Sequence, residues 1–380
     1  MRILHCCLSC FYVDKYSYQE NILPKVNLDH GHIVEIIAST ETFTAGGTLG
    51  YVNPAQYQTA EGIKITRVPY AKWLPHFLMK KIRSYKGVYA LIEKFEPDII
   101  MFHGMAAFEL LNVVKYVKKH SNVKLYVDAH EDYTNSGRNF ISKYILHKMI
   151  YRSIIKKSSS HIDKILYISQ ETKEFLVDAY KAPENKMELF PLGGEVVPKE
   201  EKLRLRRAVR DGLKISEDTL LIMHSGKLDT LKKTDSLIEA VNQIPSEKIL
   251  LLIAGSLPQA NEQLWEMIQN NSKVKWLGWL NAEELRKYLC ACDVYAQPGS
   301  QSITANNATC CGAPVLLYPQ KSYLALFQDN VLWVKDTEDI YNALYKLIQE
   351  PMLKNRLSDA SYRLANKMFD YESLALRIEK

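Results

Sequence analysis

Three lysines near the middle of the chain could form an anion-binding site. Gly226 ends an apolar run, and a segment of helical periodicity begins at Thr234. Between them stand Lys227, Lys232 and Lys233. A helix start presents unpaired N–H groups and the positive end of its dipole, so lysines beside it favour a bound phosphate. The alternative is a solvated lysine cluster at a helix start.

A second polar cluster lies about seventy residues further on. Gln301, Ser302, Ile303 and Thr304 stand at the expected start of another helix, and Asn307 lies one turn later. The first N–H groups of a helix have no partner within it. These residues could therefore hold a ligand through side chains and free N–H groups. A capping cluster without a ligand is the alternative.

Two histidines in the first half follow predicted strands. Ligands bind at the carboxyl ends of strands in open α/β sheets, which makes His130 the candidate catalytic residue. His103 ends a neighbouring strand in the same way. A structural role is the alternative for both. Three carboxylates close by could orient a substrate or serve as a base: Asp128, Glu131 and Asp132.

Two polar loops belong to the same half. Tyr16, Ser17 and Tyr18 lie in the loop after the first strand, where tyrosine faces and hydroxyls suit a sugar. Asp132 begins a second loop in which Arg138 could meet a phosphate. Ordinary surface is the alternative for each loop.

The elements that must position these residues form two series of β-branched runs alternating with helical segments, the pattern of parallel sheets covered by helices. The first series has predicted strands at 2–8, 33–39, 63–69, 98–103, 124–130 and 164–169. The second has them at 220–225, 249–255, 274–278, 294–298, 314–318 and 331–334. Among the helices, one is predicted at 78–95 and one at 141–157.

Size and composition agree with two domains. A chain of 380 residues exceeds one ordinary core, and a turn-forming stretch at 191–194 marks the junction. We therefore expect an N-terminal domain at 1–192, a C-terminal domain at 193–360 and a helical tail at 361–380 that packs back on the first domain.

Several classes of protein are disfavoured. Seven cysteines lack the paired spacing of a zinc site, so we expect reduced thiols and no metal. No apolar run approaches the roughly 20 residues of a transmembrane helix, and no leader is evident, which predicts a cytoplasmic protein. A net charge of +6 without a recognition motif disfavours nucleic acid as a partner.

The order and spacing of these segments resemble the family 4 glycosyltransferases of the GT-B fold along nearly the whole chain. Segment 226–241 is similar to the family's glycine-arginine-leucine strand end, followed by a lysine at the mouth of a helix that ends in glutamate and alanine. Further landmarks follow in family order at 253–256, 274–279 and 291–294. The resemblance implies two Rossmann-like domains facing across a cleft.

The same resemblance implies roles for the candidate residues. Lys227 and Lys232 match the cations that hold the diphosphate of a sugar nucleotide, whose charge grows as the glycosidic bond breaks. His130 matches the histidine that contacts the transferred sugar. The donor would occupy the C-terminal domain, and the two polar loops and His103 would lie on the acceptor side.

The sequence departs from the family at two glutamates. Aligning the cysteine-glycine ending on Cys311 and Gly312 puts Gly299 and Asn307 at those positions. Asn307 can still bond a ribose hydroxyl through its amide, whereas Gly299 has no side chain. We therefore expect Gln301, Ser302 and Thr304 to contact the donor sugar and phosphates.

Together these features predict a retaining, metal-independent transfer of a hexosyl unit from a nucleoside-diphosphate sugar, a uridine one, to a glycan or lipid-linked acceptor in cell-surface polysaccharide or glycoconjugate synthesis. The sugar nucleotide is a co-substrate, and no cofactor is expected. The missing glutamates motivate an alternative, a catalytically silent sugar-nucleotide-binding or regulatory protein. Another GT-B activity, such as an epimerase or phosphorylase, is a third.

Basic residues concentrate in the first half. Lys148, Arg152 and Lys156 recur every four residues beside Ile145 and Met149. Lysines also adjoin Trp73, Phe77 and Leu78. Such a face could lie on anionic headgroups at the inner surface of a membrane and bring a lipid-linked acceptor to the site. A solvated basic edge is the alternative.

Overall fold

The computed structural model describes residues 1–43, 48–257 and 261–380. They form two compact units: Met1–Pro191 with Leu374–Lys380, and Leu192–Ser373. The segment that groups with the first unit thus begins at Leu374, whereas the sequence analysis placed its start at residue 361. The preceding residues stay with the second unit because Phe369 is fully buried there and its carbonyl accepts the Gly194 N–H at 2.8 Å.

The first unit is built on an eight-stranded sheet. The strands of this unit are β1 Arg2–Cys7, β2 Ile33–Ser39, β3 Glu41–Phe43, β4 Leu49–Tyr51, β5 Ala55–Gln58, β6 Lys64–Val68, β7 Ile99–Phe102, β8 Lys124–Ala129, β9 Lys164–Tyr167 and β10 Met187–Leu189. The sheet order is β10-β9-β8-β7-β1-β2-β6-β5, parallel except at β5–β6, while β3 and β4 form an antiparallel pair.

Helices cover this sheet because its strands are apolar on both faces. The helices are α1 Gln19–Asp29, α2 His76–Ile82, α3 Val88–Phe95, α4 Leu110–Lys119, α5 Arg152–Ser158 and α6 Gln170–Phe175. Two π-helical segments, Ile141–Tyr151 and Leu176–Tyr180, precede α5 and follow α6. The helix predicted at 78–95 is two helices, because the chain turns between them through left-handed Arg83 and Gly87.

The second unit is a six-stranded, wholly parallel sheet ordered β13-β12-β11-β14-β15-β16. Its strands are β11 Leu220–Lys227, β12 Ile249–Ser256, β13 Val274–Gly278, β14 Val294–Gln297, β15 Val315–Leu317 and β16 Val331–Trp333. Its helices are α7 Lys199–Leu213, α8 Thr234–Gln243, α9 Glu262–Gln269, α10 Ala282–Ala291, α11 Thr304–Cys310, α12 Lys321–Leu326, α13 Thr337–Gln349 and α14 Pro351–Leu364. The last helix of the chain, α15 Tyr371–Ile378, follows a π-helical turn at Ala365–Phe369.

The strand orders place a candidate site in each unit. In the first, the chain builds outward from β1 through β2 and then restarts on its other side with β7. In the second, β11 and β14 stand in the same relation. Loops diverge at such switch points and leave a crevice at the carboxyl ends of the strands. The prediction of two Rossmann-like α/β domains is confirmed.

Candidate functional site

The switch point of the second unit carries residues 227–233, which contain the three lysines and which we call the cation loop. Gly226 and Gly255, near the carboxyl ends of β11 and β12, both have φ +137°, and a Cβ on Gly255 would lie 1.8 Å from the Gly226 oxygen. Only glycine permits this approach. Lys227 follows at the strand end with an exposed side chain. The backbones of β11 and β12 thus approach closely at Gly226 and Gly255, next to Lys227.

Lys232 is the central cation of the loop. Its side chain is largely buried, and its Nζ donates to the carbonyls of Gln301 at 3.0 Å and Ser300 at 3.4 Å. Burial lowers the pKa of this ammonium, and Asp229 partly offsets that effect. The structure therefore brings Lys232 next to Ser300 and Gln301, at the start of the second polar cluster.

Lys233 contacts a different part of the second unit. It adopts the left-handed conformation, φ 53° and ψ 40°, which glycine occupies without strain. Its Nζ donates to the Lys335 carbonyl at 3.1 Å and lies 4.9 Å from the centre of the Tyr318 ring. This geometry accounts for the family glycine that the lysine replaces.

Gly299 is covered by the cation loop. A Cβ at this position would lie 2.0 Å from the Leu231 oxygen and 2.6 Å from the Lys232 carbonyl carbon, and the Ser300 N–H donates to that Leu231 oxygen at 2.7 Å. The space next to residue 299 is therefore filled by backbone. Any side chain at residue 299 would have to displace that backbone.

The start of α11 differs from the predicted arrangement. The helix begins at Thr304, and the Ser302 N–H, expected to be free, donates to the Tyr323 hydroxyl at 2.6 Å. The Thr304 N–H reaches the Ser302 hydroxyl at 3.3 Å. The expectation of free N–H groups at these two residues is wrong, because the chain folds back on itself before the helix. Ile303 is exposed, Asn307 is half-buried, and the predicted ligand contacts of the segment remain predictions.

The first unit has a pocket of about 670 Å³ at the carboxyl ends of β1, β7 and β8. His130, Tyr18 and Arg138 line it. So do three cations that the sequence analysis had not placed there as ligand contacts: Lys80, Lys81 and Arg83. Polar and aromatic groups complete the wall, among them Ser9, Phe11, Asn139, Ser142 and Tyr151. The pocket lining thus combines aromatic side chains with more basic than acidic side chains.

Arg83 is the best-held of these cations. Its guanidinium donates to the carbonyl and the hydroxyl of Ser9, which lies in the loop after β1. Gly104 approaches the same residue so closely that a Cβ would lie 2.8 Å from the Ser9 Oγ. The loops after β1 and β7 therefore meet at the switch point and form the floor of the pocket.

His130 sits at the end of β8 with about a third of its side chain exposed. Its Nε2 lies 3.5 Å from Asp128 Oδ2. Burial alone would lower the pKa of His130, but the Asp128 carboxylate outweighs burial and raises it to about 9. The Glu131 carboxylate accepts the N–H groups of His130, Met105 and Ala106 at 3.1–3.2 Å and so ties this strand end to the loop after β7.

His103 is placed differently from its prediction. It is fully buried, with Nδ1 2.7 Å from Asp128 Oδ2 and Nε2 3.0 Å from His5 Nδ1. Burial alone would lower its pKa, but Asp128 raises it to about 10. The predicted acceptor contact is wrong, because both ring nitrogens are occupied inside the core.

The remaining acceptor-side predictions fall on the surface. Tyr16, Ser17 and Tyr18 are exposed, with the two tyrosine rings 5.2 Å apart, and only Tyr18 of the three is among the pocket-lining residues. Asp132 accepts the Thr134 N–H at 2.7 Å and the Asn135 N–H at 3.0 Å. It therefore organises its own loop, from which Arg138 reaches the pocket.

Two residues of the buried network were missed. His5 and Asn27 lie fully buried on β1 and α1, joined by a 3.0 Å contact. A lone histidine in the otherwise apolar run Ile3–Leu8 was the available signal. Among the described residues, no group of three potential metal ligands is found.

The predicted basic face keeps an exposed Lys156, but its other two cations are bonded within the unit. Lys148 pairs with Asp178 at 2.8 Å, and Arg152 donates to the carbonyls of Asp178 and Ala179 at 2.9 Å. The neighbouring exposed side chains are Phe140, Ile141, Tyr144, Ile145 and Met149. Trp73, Phe77 and Leu78 are exposed as well. No helix among the described residues is long and apolar enough to span a bilayer.

Known proteins match this chain in family and in fold. The model of Glycosyltransferase Family 4 matches residues 28–194, and that of Glycosyl transferases group 1 matches residues 206–364. The solved structure of Anabaena HepE in complex with UDP superimposes with a TM-score of 0.67 at 14% identity, covering 100% of this chain and 98% of that one. The chain belongs to the family 4, group 1 glycosyltransferases and has their GT-B fold.

Curated relatives agree on the enzyme class. The uncharacterized glycosyltransferase MJ1607 of Methanocaldococcus jannaschii is 22% identical over 324 residues, which cover 80% of this chain and 77% of the relative. A GDP-mannose-dependent monoacylated alpha-(1-6)-phosphatidylinositol monomannoside mannosyltransferase of Corynebacterium glutamicum is 26% identical over 185 residues, 43% of this chain and 46% of the relative.

Proposed function

We propose that this glycosyltransferase moves a hexosyl unit from a uridine diphosphate sugar to an anionic glycan or lipid-linked saccharide, with retention and without a metal, in cell-surface polysaccharide or glycoconjugate synthesis. The observation that carries the proposal is the cation loop at the switch point of the second unit. Lys227 and Lys232 lie at and just after the carboxyl end of β11, where their charges can meet a diphosphate.

The donor is inferred from charge and from likeness. Positive groups that are already in place where the diphosphate departs stabilise its growing charge, which is the task a metal performs in other enzymes. HepE of Anabaena, which shares the fold, was solved in complex with UDP-glucose. A uridine diphosphate hexose is therefore the first donor to test.

The acceptor is inferred from the pocket of the first unit. Arg83 is fixed by Ser9, while Lys80, Lys81 and Arg138 line the same space. Such a set suits a phosphate or carboxylate on the acceptor, and the aromatic lining suits its sugar. His130 lies in the wall where it can bond a sugar hydroxyl.

Incubation with UDP-glucose, UDP-galactose, GDP-mannose and acceptor extracts, followed by chromatography of the released nucleotide, tests this function. We expect UDP release that is stimulated by acceptor and unchanged by EDTA. The anomeric configuration of the product, read by NMR, tests retention. Release that stops with EDTA would reject the metal-independent mechanism.

A silent sugar-nucleotide-binding protein is the second candidate, favoured by the closed space at Gly299. Calorimetric binding of UDP-glucose without nucleotide release in any acceptor extract would establish it in place of the transferase.

We also propose that the exposed apolar side chains around Ile141–Tyr151 touch an anionic membrane surface at its cytoplasmic side. Asn139, Ser142 and Leu146 of the same segment line the pocket, so a lipid-linked acceptor could reach it directly. Sedimentation with phosphatidylglycerol vesicles tests this. Ile141→Glu with Met149→Glu should abolish binding, whereas Leu376→Glu, an exposed leucine on α15, should not. Equal binding of both variants would reject the contact.

A further inference from the structure

A continuous series of polar contacts runs through the core of the first unit. Asn27 Nδ2 donates to Glu379 Oε1 at 2.6 Å, and Asn27 Oδ1 lies 3.0 Å from His5 Nε2. His5 Nδ1 lies 3.0 Å from His103 Nε2, and His103 Nδ1 lies 2.7 Å from Asp128 Oδ2. We refer to these five side chains as the histidine chain.

The hydrogen-bond directions along the histidine chain follow from its ends. A carboxylate can only accept, so Glu379 fixes the amide of Asn27 with its oxygen toward His5. His5 must then carry its proton on Nε2. A neutral imidazole has one N–H, so His5 Nδ1 accepts, and the proton between the two histidines belongs to His103.

At its other end the chain meets a second carboxylate. Asp128 also only accepts, so His103 Nδ1 carries a proton as well as Nε2. His103 is therefore an imidazolium enclosed in the core. The electrostatics agree: burial, followed by His103, lowers the pKa of His5 to about 3. Burial would lower that of His103 too, but Asp128 raises it to about 10.

Asp128 connects this charge to the pocket. Its Oδ1 accepts the Gly104 N–H at 2.7 Å, and its Oδ2 faces both His103 and His130. The Nε2 of His130 is buried and, among the described residues, has no partner in hydrogen-bond geometry. One carboxylate is thus shared by two histidines, at 2.7 Å and 3.5 Å.

We propose that His103 is a positioning residue for His130. Its charge locks the orientation of Asp128 and compensates most of that carboxylate's charge. His130 consequently keeps Nε2–H toward Asp128, and its pKa, although raised to about 9, stays lower than an uncompensated Asp128 carboxylate would make it. The catalytic part of this inference rests on the proposed function, and the protonation part does not.

Three variants separate this role from simple packing. His103→Gln removes the charge but keeps an amide donor, so the pKa of His130 should rise by about 1 to 3 units. Asp128→Asn should shift it in the opposite direction. Asn27→Leu frees His5 to hold its proton on Nδ1 and donate to His103, which then becomes neutral, so it should act like His103→Gln with a smaller shift.

The shifts must be judged against all charged groups nearby. Asp128, Glu20 and Glu131 face His130, and Asp128, Cys7, Glu20 and His5 face His103. All of these except the replaced group are unchanged in His103→Gln and in Asn27→Leu. Asn330→Leu is the matched control, because it removes a buried amide of the second unit that bonds Thr309 and Ser361.

The measurement is a pH titration of ¹⁵N-histidine side chains by NMR, with UDP release from UDP-glucose followed over the same range. We expect His103 to show two protonated nitrogens at pH 7, and the acidic limb of the rate profile to move with the His130 titration in each variant. Asn330→Leu should leave both titrations in place.

One unprotonated His103 nitrogen at pH 7 would overturn the inference, as would shifts of the same sign in His103→Gln and Asp128→Asn. If His103→Gln misfolds, Asn27→Leu still distinguishes a positioning role of His103 from a purely structural one. If the enzyme releases no nucleotide, the proposed function fails, while the NMR titration still tests the protonation of the histidine chain.

Discussion

The carboxyl edges of the two sheets differ in whether side chains or backbone form the candidate site. In the first unit the features are side-chain contacts: Asp128 lies within 3.5 Å of both His103 and His130. Cationic side chains line the neighbouring pocket. In the second unit the main feature is backbone packing: the Leu231 and Lys232 peptides fill the space beside Gly299. The first edge is therefore dominated by contacts between titratable side chains, and the second by close backbone packing.

The packing at Gly299 bears on the expectation that a family glutamate is replaced by glycine at this position. A carboxylate at residue 299 would have to displace the backbone of the cation loop, which holds Lys232 against Ser300 and Gln301. The packing that holds Lys232 in place leaves no room for a side chain at residue 299. The four predictions below test this contrast.

The largest effect should come from Gly299→Glu. Its Cβ would lie 2.0 Å from the Leu231 oxygen, so we expect the second unit to lose about 3 kcal/mol or more of unfolding free energy, with donor binding abolished. Urea unfolding and calorimetry with UDP-glucose measure both. Gly212→Glu is the control, because a Cβ there meets nothing within 4 Å. A stable, active Gly299→Glu enzyme would contradict the steric account.

Lys232→Met should have the second-largest effect. It removes the buried cation and its hydrogen bonds to the carbonyls of Ser300 and Gln301, so the rate of UDP release should fall on the order of 100-fold. Steady-state kinetics at saturating donor measures this fall. An unchanged rate would place the diphosphate elsewhere.

The pH dependence of stability should distinguish the units. The folded-state pKa of His103, about 10, lies above the roughly 6.5 of an unfolded histidine, so its stabilisation is fully present below about pH 6.5 and is lost as pH rises toward 10. The urea midpoint of the first unit should fall across this range in the wild type and less in His103→Gln. Parallel curves for the two proteins would contradict a charged His103.

Lys227→Met should have the smallest effect. This lysine is exposed, so its attraction for the diphosphate is screened by water and salt. We expect donor affinity to fall only a few-fold at low salt, with a smaller difference at 0.5 M NaCl. A loss as large as that of Lys232→Met would show that the exposed cation carries the site.

Local sequence was enough to predict the framework. Every predicted strand is present in the structure, because buried parallel strands need continuous apolar runs that can be recognised locally. The short strands β3, β4, β5 and β10 were missed, since three or four polar or half-exposed residues leave no such run. The GT-B class followed from the order of the landmarks.

The sites divided differently. Sequence determined that cations precede α8 and that His130 ends a strand, because strand ends and helix starts are local features. Only the tertiary structure decided that His103 is sealed in the core between His5 and Asp128, that the Ser302 N–H is already bonded to Tyr323, and that backbone covers Gly299. These outcomes depend on residues distant in sequence meeting at van der Waals and hydrogen-bond distance, which no local pattern encodes.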